Sequence, residues 1–396
     1  MGYLSFQLNC SAKLIELDKP FFQQNFKIGI LGGGQLGRML IQSGIDYNLS
    51  FSVLDPDEHA PCKGLSEFYA GKLTDYDSVL GFGLSCDIIT IEIENVNTTA
   101  LKALTKEGKK VYPQPEVIEL IQDKRKQKLF YSENDIPTAD FILTENRDDA
   151  RKHHSFLPAV HKLGREGYDG RGVQVIKNES EFNKAFNEPG LLESLIDFEK
   201  EISVIVARNE HGEVKTYPAV EMVFHPVHNL VEFLFSPAQI EKKVEEEATR
   251  IARKIINELK MVGLLAVEMF VTRSGEVLVN EIAPRPHNSG HQTIEGNITS
   301  QYEQQLRAIL SLPLGETDTI WPTAMVNLLG DPGHEGPAVY SGFEEVVKIP
   351  GVHVHLYGKK NTKPFRKMGH VTIMDKDLKS LKEKANLVKS TLKVIT

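Results

Sequence analysis

The chain predicts an α/β fold in its first part and an α+β fold beyond it, and three observations carry that expectation. A strand, a glycine turn, a helix, a second strand and an acid follow one another over residues 26–55. Short apolar strands then alternate with only two long helical patterns as far as about residue 315, and beyond Trp321–Pro322 strands return before one closing helix. At 396 residues, 41% of them apolar, the chain is long enough for two or three domains with a full core.

Each element has a local reason. Phe26–Leu31 is a buried strand, and Gly32-Gly33-Gly34-Gln35-Leu36-Gly37 opens a helix with Leu36, Met39, Leu40 and Ile41 on its apolar side. A second strand, Phe51–Leu54, ends at Asp55, and Ile88–Ile91 supplies another, so this part holds a parallel sheet. Pro113 and Pro115 punctuate the chain and place a boundary near residue 112. Glu116 to Asn134 has the lysine-rich look of one exposed helix, and further helices are expected at Glu241–Leu259, Ser300–Leu310 and Asp377–Leu392.

Composition removes several function classes. With 46 basic against 54 acidic residues the net charge is -8, which argues against a general nucleic-acid binder and makes any basic patch a local site. Cys10, Cys62 and Cys86 are too few and too scattered for a disulfide framework or zinc cluster, so a cytoplasmic setting is expected. No apolar run is long enough to cross a bilayer. Lys13, Glu16, Asp18 and Lys19 interrupt any signal-peptide core in residues 1–25, which read as an extension or a start-site artefact.

The most informative segment is Ala266–Glu281. It reads as two strands joined at Ser274–Gly275, a turn that sets Glu268 across from Glu281 on a face shared with Phe270 and Val279. Two carboxylates roughly 5 Å apart repel each other, so either they are solvated on an exposed hairpin or a cation lies between them. Mg2+ suits such a pair, because it takes carboxylate oxygens and leaves positions for nucleotide phosphates.

Other motifs point the same way with less force. The Gly32–Gly37 turn with Asp55 fits a nicotinamide-dependent oxidoreductase, but it fits a phosphorylated substrate, or a purely structural turn, equally well. After the strand Ala159–Lys162, four glycines at 164, 167, 170 and 172 suit a flap that closes on polyphosphate, with Lys162 and Arg171 supplying charge. Leu191–Ile196 followed by Glu201 has the look of an adenine hinge with a ribose carboxylate, or of any strand edge. Between two prolines and after them, Arg285, His287, Asn288, Ser289 and His291 form a donor-rich loop suited to small oxyanions. Lys359, Lys360, Arg366 and Lys367 make a basic knot that is either a phosphate clamp or a solvated turn.

Taken in order, Gly-Gly-Gly-Gln-Leu-Gly-Arg-Met at 32–39, Gly-Tyr-Asp-Gly-Arg-Gly at 167–172, Asn-Glu-Ile-Ala-Pro-Arg-Pro-His-Asn-Ser-Gly-His at 280–291 and Arg-Lys-Met-Gly-His at 366–370 closely resemble one family. It is the ATP-grasp N5-carboxyaminoimidazole ribonucleotide synthases of purine biosynthesis. The resemblance implies a Rossmann-like N-terminal domain at 26–112, an ATP-grasp domain at 113–317 with a flap subdomain at about 138–200, and a small β-rich C-terminal domain at 318–396. By position, it assigns ATP to Lys124, Lys162, Gly167, Tyr168, Asp169, Gly170, Arg171, Gly172, Val173, Glu193, Ser194, Leu195, Ile196, Glu201, Asn280 and Glu281, and Mg2+ to Glu268 and Glu281. It assigns 5-aminoimidazole ribonucleotide to Gly34, Gln35, Tyr168, Arg285, His287, Asn288, Ser289, His291, Lys359, Arg366 and Lys367, with Asp169, Arg171, Arg285 and Lys359 as catalytic groups. Bicarbonate as co-substrate and a homodimer are also implied. Another ATP-grasp ligase is the alternative within the superfamily. The chain departs from the family pattern at Arg165 and Glu166, where a threonine and an extra glycine are usual, and at Lys124, where arginine is common.

Overall fold

The computed structural model describes residues 25–165, 172–225 and 230–396. Strands β1 (Lys27–Leu31), β2 (Ser50–Asp55), β3 (Glu67–Ala70), β4 (Ile88–Ile91) and β5 (Lys110–Val111) form a parallel sheet in the order β3-β2-β1-β4-β5. The order reverses between β1 and β4, which opens a crevice at their carboxyl ends. Helices α1 (Gln35–Ile45), α2 (Tyr76–Leu84) and α3 (Thr98–Lys106) cover the sheet, and α1 buries the expected Leu36, Met39, Leu40 and Ile41.

The single exposed helix expected at 116–134 is two helices, α4 (Pro115–Ile121) and α5 (Lys124–Glu133). The break is chemical: the Asp123 carboxylate accepts the Arg125 backbone N–H at 3.0 Å and caps the second helix. Neither helix is merely solvated, since Ile118, Tyr131 and Lys128 are all buried. Lysine-rich composition hid an inward face.

Two antiparallel sheets follow. The smaller consists of β6 (Phe141–Thr144), β7 (Ala159–Leu163), β8 (Val173–Ile176) and β9 (Gly190–Ser194) in the order β6-β9-β7-β8, with α6 (Arg147–Lys152) beside β6. The larger contains β10 (Phe198–Arg208), β11 (Val214–Thr216), β12 (Val220–Phe224), β13 (Val231–Ser236), β14 (Gly263–Thr272), β15 (Val277–Ala283) and β16 (Thr323–Leu329), then the strands Lys367–Met374 and Val352–Leu356. Because β13 pairs with β16, the strands after residue 317 extend the central sheet.

Helix α7 (Lys242–Glu258) presents Val244, Ala248, Ile251, Ala252, Ile255 and Ile256 at helical spacing to Val204, Val206, Val267 and Met269. Truncating one of these large apolar side chains to alanine costs about 2–5 kcal/mol. After a short α8 (Thr293–Gly296), α9 (Gln301–Ile309) packs Ala308 against Ile205, Leu264 and Ala266, while its Tyr302, Leu306 and Ile309 complete the core around Leu40 and Phe51. This helix holds the glycine turn of the first domain close to the central sheet.

Candidate active site

The hairpin between β14 and β15 turns at Ser274–Gly275 but closes one residue wider than the expected two-residue turn, with Val271 opposite Val277. Gly275 takes φ +81°, and its N–H donates to the Thr272 carbonyl at 2.9 Å. Glu268 then stands directly opposite Glu281. The expectation that Val279 shares their face is wrong: a bulge next to Glu268 pairs Met269 with Val279 and Phe270 with Leu278, so Val279 is buried in the core under α7. The extra residue is Asn280. Its Oδ1 accepts the Lys162 ammonium at 3.0 Å while Glu281 Oε2 accepts that of Lys124 at 2.5 Å, so neighbouring residues both serve the cleft.

Charge in the cleft is unevenly balanced. Glu281 is held below the usual carboxylate range, because Lys124 and Lys162 outweigh the burial that opposes its ionisation. Glu268 is pushed up to about 8 by burial, with Glu281 and Glu201 adding repulsion, and His287 Nε2 lies 3.5 Å from its carboxylate. Burial raises Glu201 to about 7. Glu193, expected at the adenine hinge, points inward between Lys128 at 2.7 Å and Lys162 at 2.5 Å, which keep it ionised against burial. After it, Ser194 is half-buried and Leu195 is exposed, on the turn that leads to Phe198; Phe198 is exposed and stacks on Phe270 at 4.6 Å. An apolar surface there suits a planar base.

A divalent cation fits this arrangement. Glu268 and Glu281 face each other with one only weakly compensated, and among the described residues no group of three or more His, Cys, Asp or Glu side chains is placed to hold a metal ion, so this pair would need ligands from outside the protein to complete a shell. A pair of carboxylates with open positions is the donor set that magnesium takes when phosphates complete its shell.

The flap is described only in part. Val173 pairs with Lys162, and the Gly172 carbonyl accepts the Leu163 N–H; Glu166, Gly167, Tyr168, Asp169, Gly170 and Arg171 lie outside the described residues. Arg165, where the family pattern has a smaller residue, ion-pairs with Asp123 at 3.3 Å.

Around the glycine turn, Gly33 N–H donates to Asp55 at 2.6 Å, so the carboxylate at the end of β2 ties down the turn. A side chain on Gly34 would meet Glu92 at 2.4 Å, and Glu92 accepts the Leu36 N–H at 3.2 Å. Burial lifts Glu92 to about 7, with Arg285 opposing. Arg285 itself ion-pairs with Glu94 at 2.8 Å, joining the donor loop to the first domain. Sequence reasoning misses Glu92 and Glu94, although two acids immediately after β4, at the point where strand order reverses, are a usable signal. Gln35 begins α1 beside them.

The donor loop divides in two. His287 turns to Glu268 and to Ser289 Oγ, whose hydroxyl also meets Ser203 at 2.8 Å. Ser289 and His291 are each 1% exposed and brace the loop, and Asn288, just before them, is half-buried. His291 bonds Tyr302 OH at 3.0 Å and packs at a tilt against His370, which stacks on His355. In the basic knot, Lys359 donates to the Lys367 carbonyl at 2.7 Å and Arg366 to that of Asn361 at 2.8 Å. The charge of Lys359 is felt at Glu92 and that of Lys367 at Glu268, so both approach the cleft.

Comparison with known proteins agrees with this geometry. Residues 129–302 match the ATP-grasp domain, residues 26–122 the ribonucleotide synthetase preATP-grasp domain and residues 323–384 the phosphoribosylaminoimidazole carboxylase C-terminal domain. The N5-carboxyaminoimidazole ribonucleotide synthase of Bacillus subtilis is 38% identical over 366 residues, covering 90% of this chain and 94% of the relative. The chain belongs to the N5-carboxyaminoimidazole ribonucleotide synthase family. The crystal structure of the synthetase from Thermotoga maritima superposes with a TM-score of 0.86 at 40% identity, over 94% of this chain and 99% of that one. The Aspergillus clavatus enzyme, solved with ADP and 5-aminoimidazole ribonucleotide, superposes with a TM-score of 0.84 at 30% identity, over 93% and 98%. A synthase of this family is an ATP-grasp ligase, and the oxidoreductase alternative falls with this membership.

Proposed function

We propose that this cleft carries out the ATP-dependent carboxylation of 5-aminoimidazole ribonucleotide by bicarbonate, giving N5-carboxyaminoimidazole ribonucleotide, ADP and phosphate. The observation that carries the reading is the opposed pair Glu268 and Glu281, with Lys124 and Lys162 beside it. Bicarbonate oxygen attacks the γ-phosphorus of ATP, the bond to the β-phosphate oxygen breaks, and carboxyphosphate and ADP result. The exocyclic amine of the ribonucleotide then attacks the carboxyl carbon, releasing phosphate and a proton. Bound magnesium, held by Glu268 and Glu281, would offset phosphate charge.

The chain's own groups do the rest. Lys162 and Lys124 reach toward the phosphates, and the step needs mainly position and charge, with no covalent nucleophile. Glu92, beside the glycine turn and near neutral pKa, is placed to accept a hydrogen bond from a ribonucleotide amine. Arg285, Lys359, Arg366 and Lys367 supply positive charge for the ribonucleotide phosphate. Asp169 and Arg171 are assigned to the flap, where closure excludes water from labile carboxyphosphate. The proposal includes a cytoplasmic homodimer and the three-part division at residues 112 and 317; among the described residues no helix is long and apolar enough to cross a membrane.

Phosphate release measured with ATP and bicarbonate, with and without the ribonucleotide, tests the reaction. Strong stimulation by the ribonucleotide is expected, together with a carboxylated product; stimulation by glycinamide ribonucleotide and formate instead would reassign the substrate. Unchanged ribonucleotide-stimulated turnover in Asp169→Ala would remove that residue's role.

A further inference from the structure

Lys128 has no part in the proposed reaction, yet it is one of the most deeply buried charges in the molecule. It lies on α5 with its side chain 4% exposed, and its ammonium takes one oxygen of Glu193 at 2.7 Å while Lys162 takes the other at 2.5 Å. Lys128 also donates to Thr138 Oγ1, which in turn donates to the Val279 carbonyl at 2.7 Å. The three groups therefore sit where the small sheet, carrying Lys162 and Glu193, meets the hairpin strand β15. Phe141 and Tyr131 rings lie 5.9 Å from the Lys128 nitrogen and close the site to solvent.

The arithmetic of charge gives the arrangement its purpose. Lys162 and Glu193 alone would sum to zero, and a lysine neutralised by its own buried carboxylate has little left for a phosphate. With Lys128 present the cluster holds two ammoniums and one carboxylate, a net charge of one positive, directed at the cleft through Lys162, whose remaining contact is Asn280. Buried charges are screened little, so the sign of this sum matters.

We propose that Lys128 is a positioning residue for nucleotide binding: by sharing Glu193 it leaves Lys162 a surplus of positive charge for polyphosphate and fixes that lysine's carboxylate partner to the body of the enzyme. The inference rests on Lys162 contacting the nucleotide.

The test is a charge-balance cycle on the whole enzyme, reading KM for ATP, KM for the ribonucleotide and kcat, with folding checked by thermal melting. Lys128→Met should raise KM for ATP about tenfold, one unit of lost charge interaction in a poorly screened site, while KM for the ribonucleotide stays within about twofold. Lys128→Met/Glu193→Gln, which restores the net charge of the cluster, should recover most of the ATP affinity, and Lys128→Arg, which keeps the charge, should stay close to the parent. An unchanged KM for ATP in Lys128→Met, a double variant worse than that single one, or an Arg variant as damaged as Met overturns the proposal. If Lys128→Met alone does not fold, Lys128→Gln, which keeps a hydrogen-bond donor beside Glu193 and leaves the Lys162–Glu193 pair intact, takes its place, and an unchanged KM for ATP in that variant overturns the idea. Lys162→Met separates the two claims. A normal KM for ATP there overturns the nucleotide reading itself, whereas a raised one leaves Lys128 to be judged by its own cycle.

Discussion

Two places in the molecule bury acidic side chains, and they solve the problem of buried negative charge differently. At the carboxyl end of β4, Glu92 accepts the Leu36 backbone N–H of the glycine turn, with Arg285 and Lys359 in range, and is lifted to about 7 by burial. At the hairpin, Glu281 keeps its charge through Lys124, while Glu268 opposite is driven to about 8. Arg285 and Lys359 oppose the burial of Glu92 and leave it near the middle of its titration at neutral pH, whereas burial and the charge of Glu281 keep Glu268 protonated, so ionising both hairpin carboxylates together calls for an added cation and that pair gains most from magnesium.

The sharpest way to break this contrast is Glu281→Gln. Ribonucleotide-stimulated phosphate release should fall by about 10²–10³, the scale seen when a transition-state charge partner is removed; a fall under threefold would show that the hairpin is not the metal site. Glu92→Gln should fall less, about tenfold, mainly in KM for the ribonucleotide with KM for ATP unchanged, which steady-state kinetics on both substrates would read. Arg285→Lys keeps the charge but loses the planar fork to Glu94, and an increase of about fivefold in KM for the ribonucleotide is expected.

A pH experiment sharpens the difference. Glu268 ionises near 4.5 when unfolded and near 8 when folded, so between those values the unfolded chain gives up a proton that the folded chain retains. Its contribution to stability is full below about 4.5 and is lost as pH rises through about 8. Metal-free protein should therefore melt at lower temperature as pH goes from 6 to 8.5, Glu268→Gln should flatten that trend, and magnesium with ATP should oppose it. The smallest effect belongs to the turn: Gly275→Ala, at φ +81°, should cost about 1 kcal/mol of stability with turnover unaffected, read by thermal melting and phosphate release.

Legibility in the sequence varied with how local the cause was. The turn at Ser274–Gly275 and the apolar face of α1 follow from period and turn chemistry within about fifteen residues, and the parallel sheet from the strand–helix alternation over longer stretches. The bulge at Asn280 and the capping break at Asp123 are single-residue events, which alternation and lysine content do not reveal. Glu92, Glu94 and Lys128 matter through partners far along the chain, so spacing alone could not select them. Ser289 and His291 sit in a loop whose composition looked ligand-facing, but α9 and the neighbouring strands bury them.

The amino-acid order alone therefore determined the α/β start, the glycine turn, the opposed carboxylates and the family motifs, because each depends on neighbours in the chain. Tertiary structure decided which donors face the cleft, how Glu268 and Glu281 divide their charge, and that the last strands extend the central sheet. Burial and the sum of surrounding charges set those outcomes, and both are properties of groups that meet only when distant segments pack together.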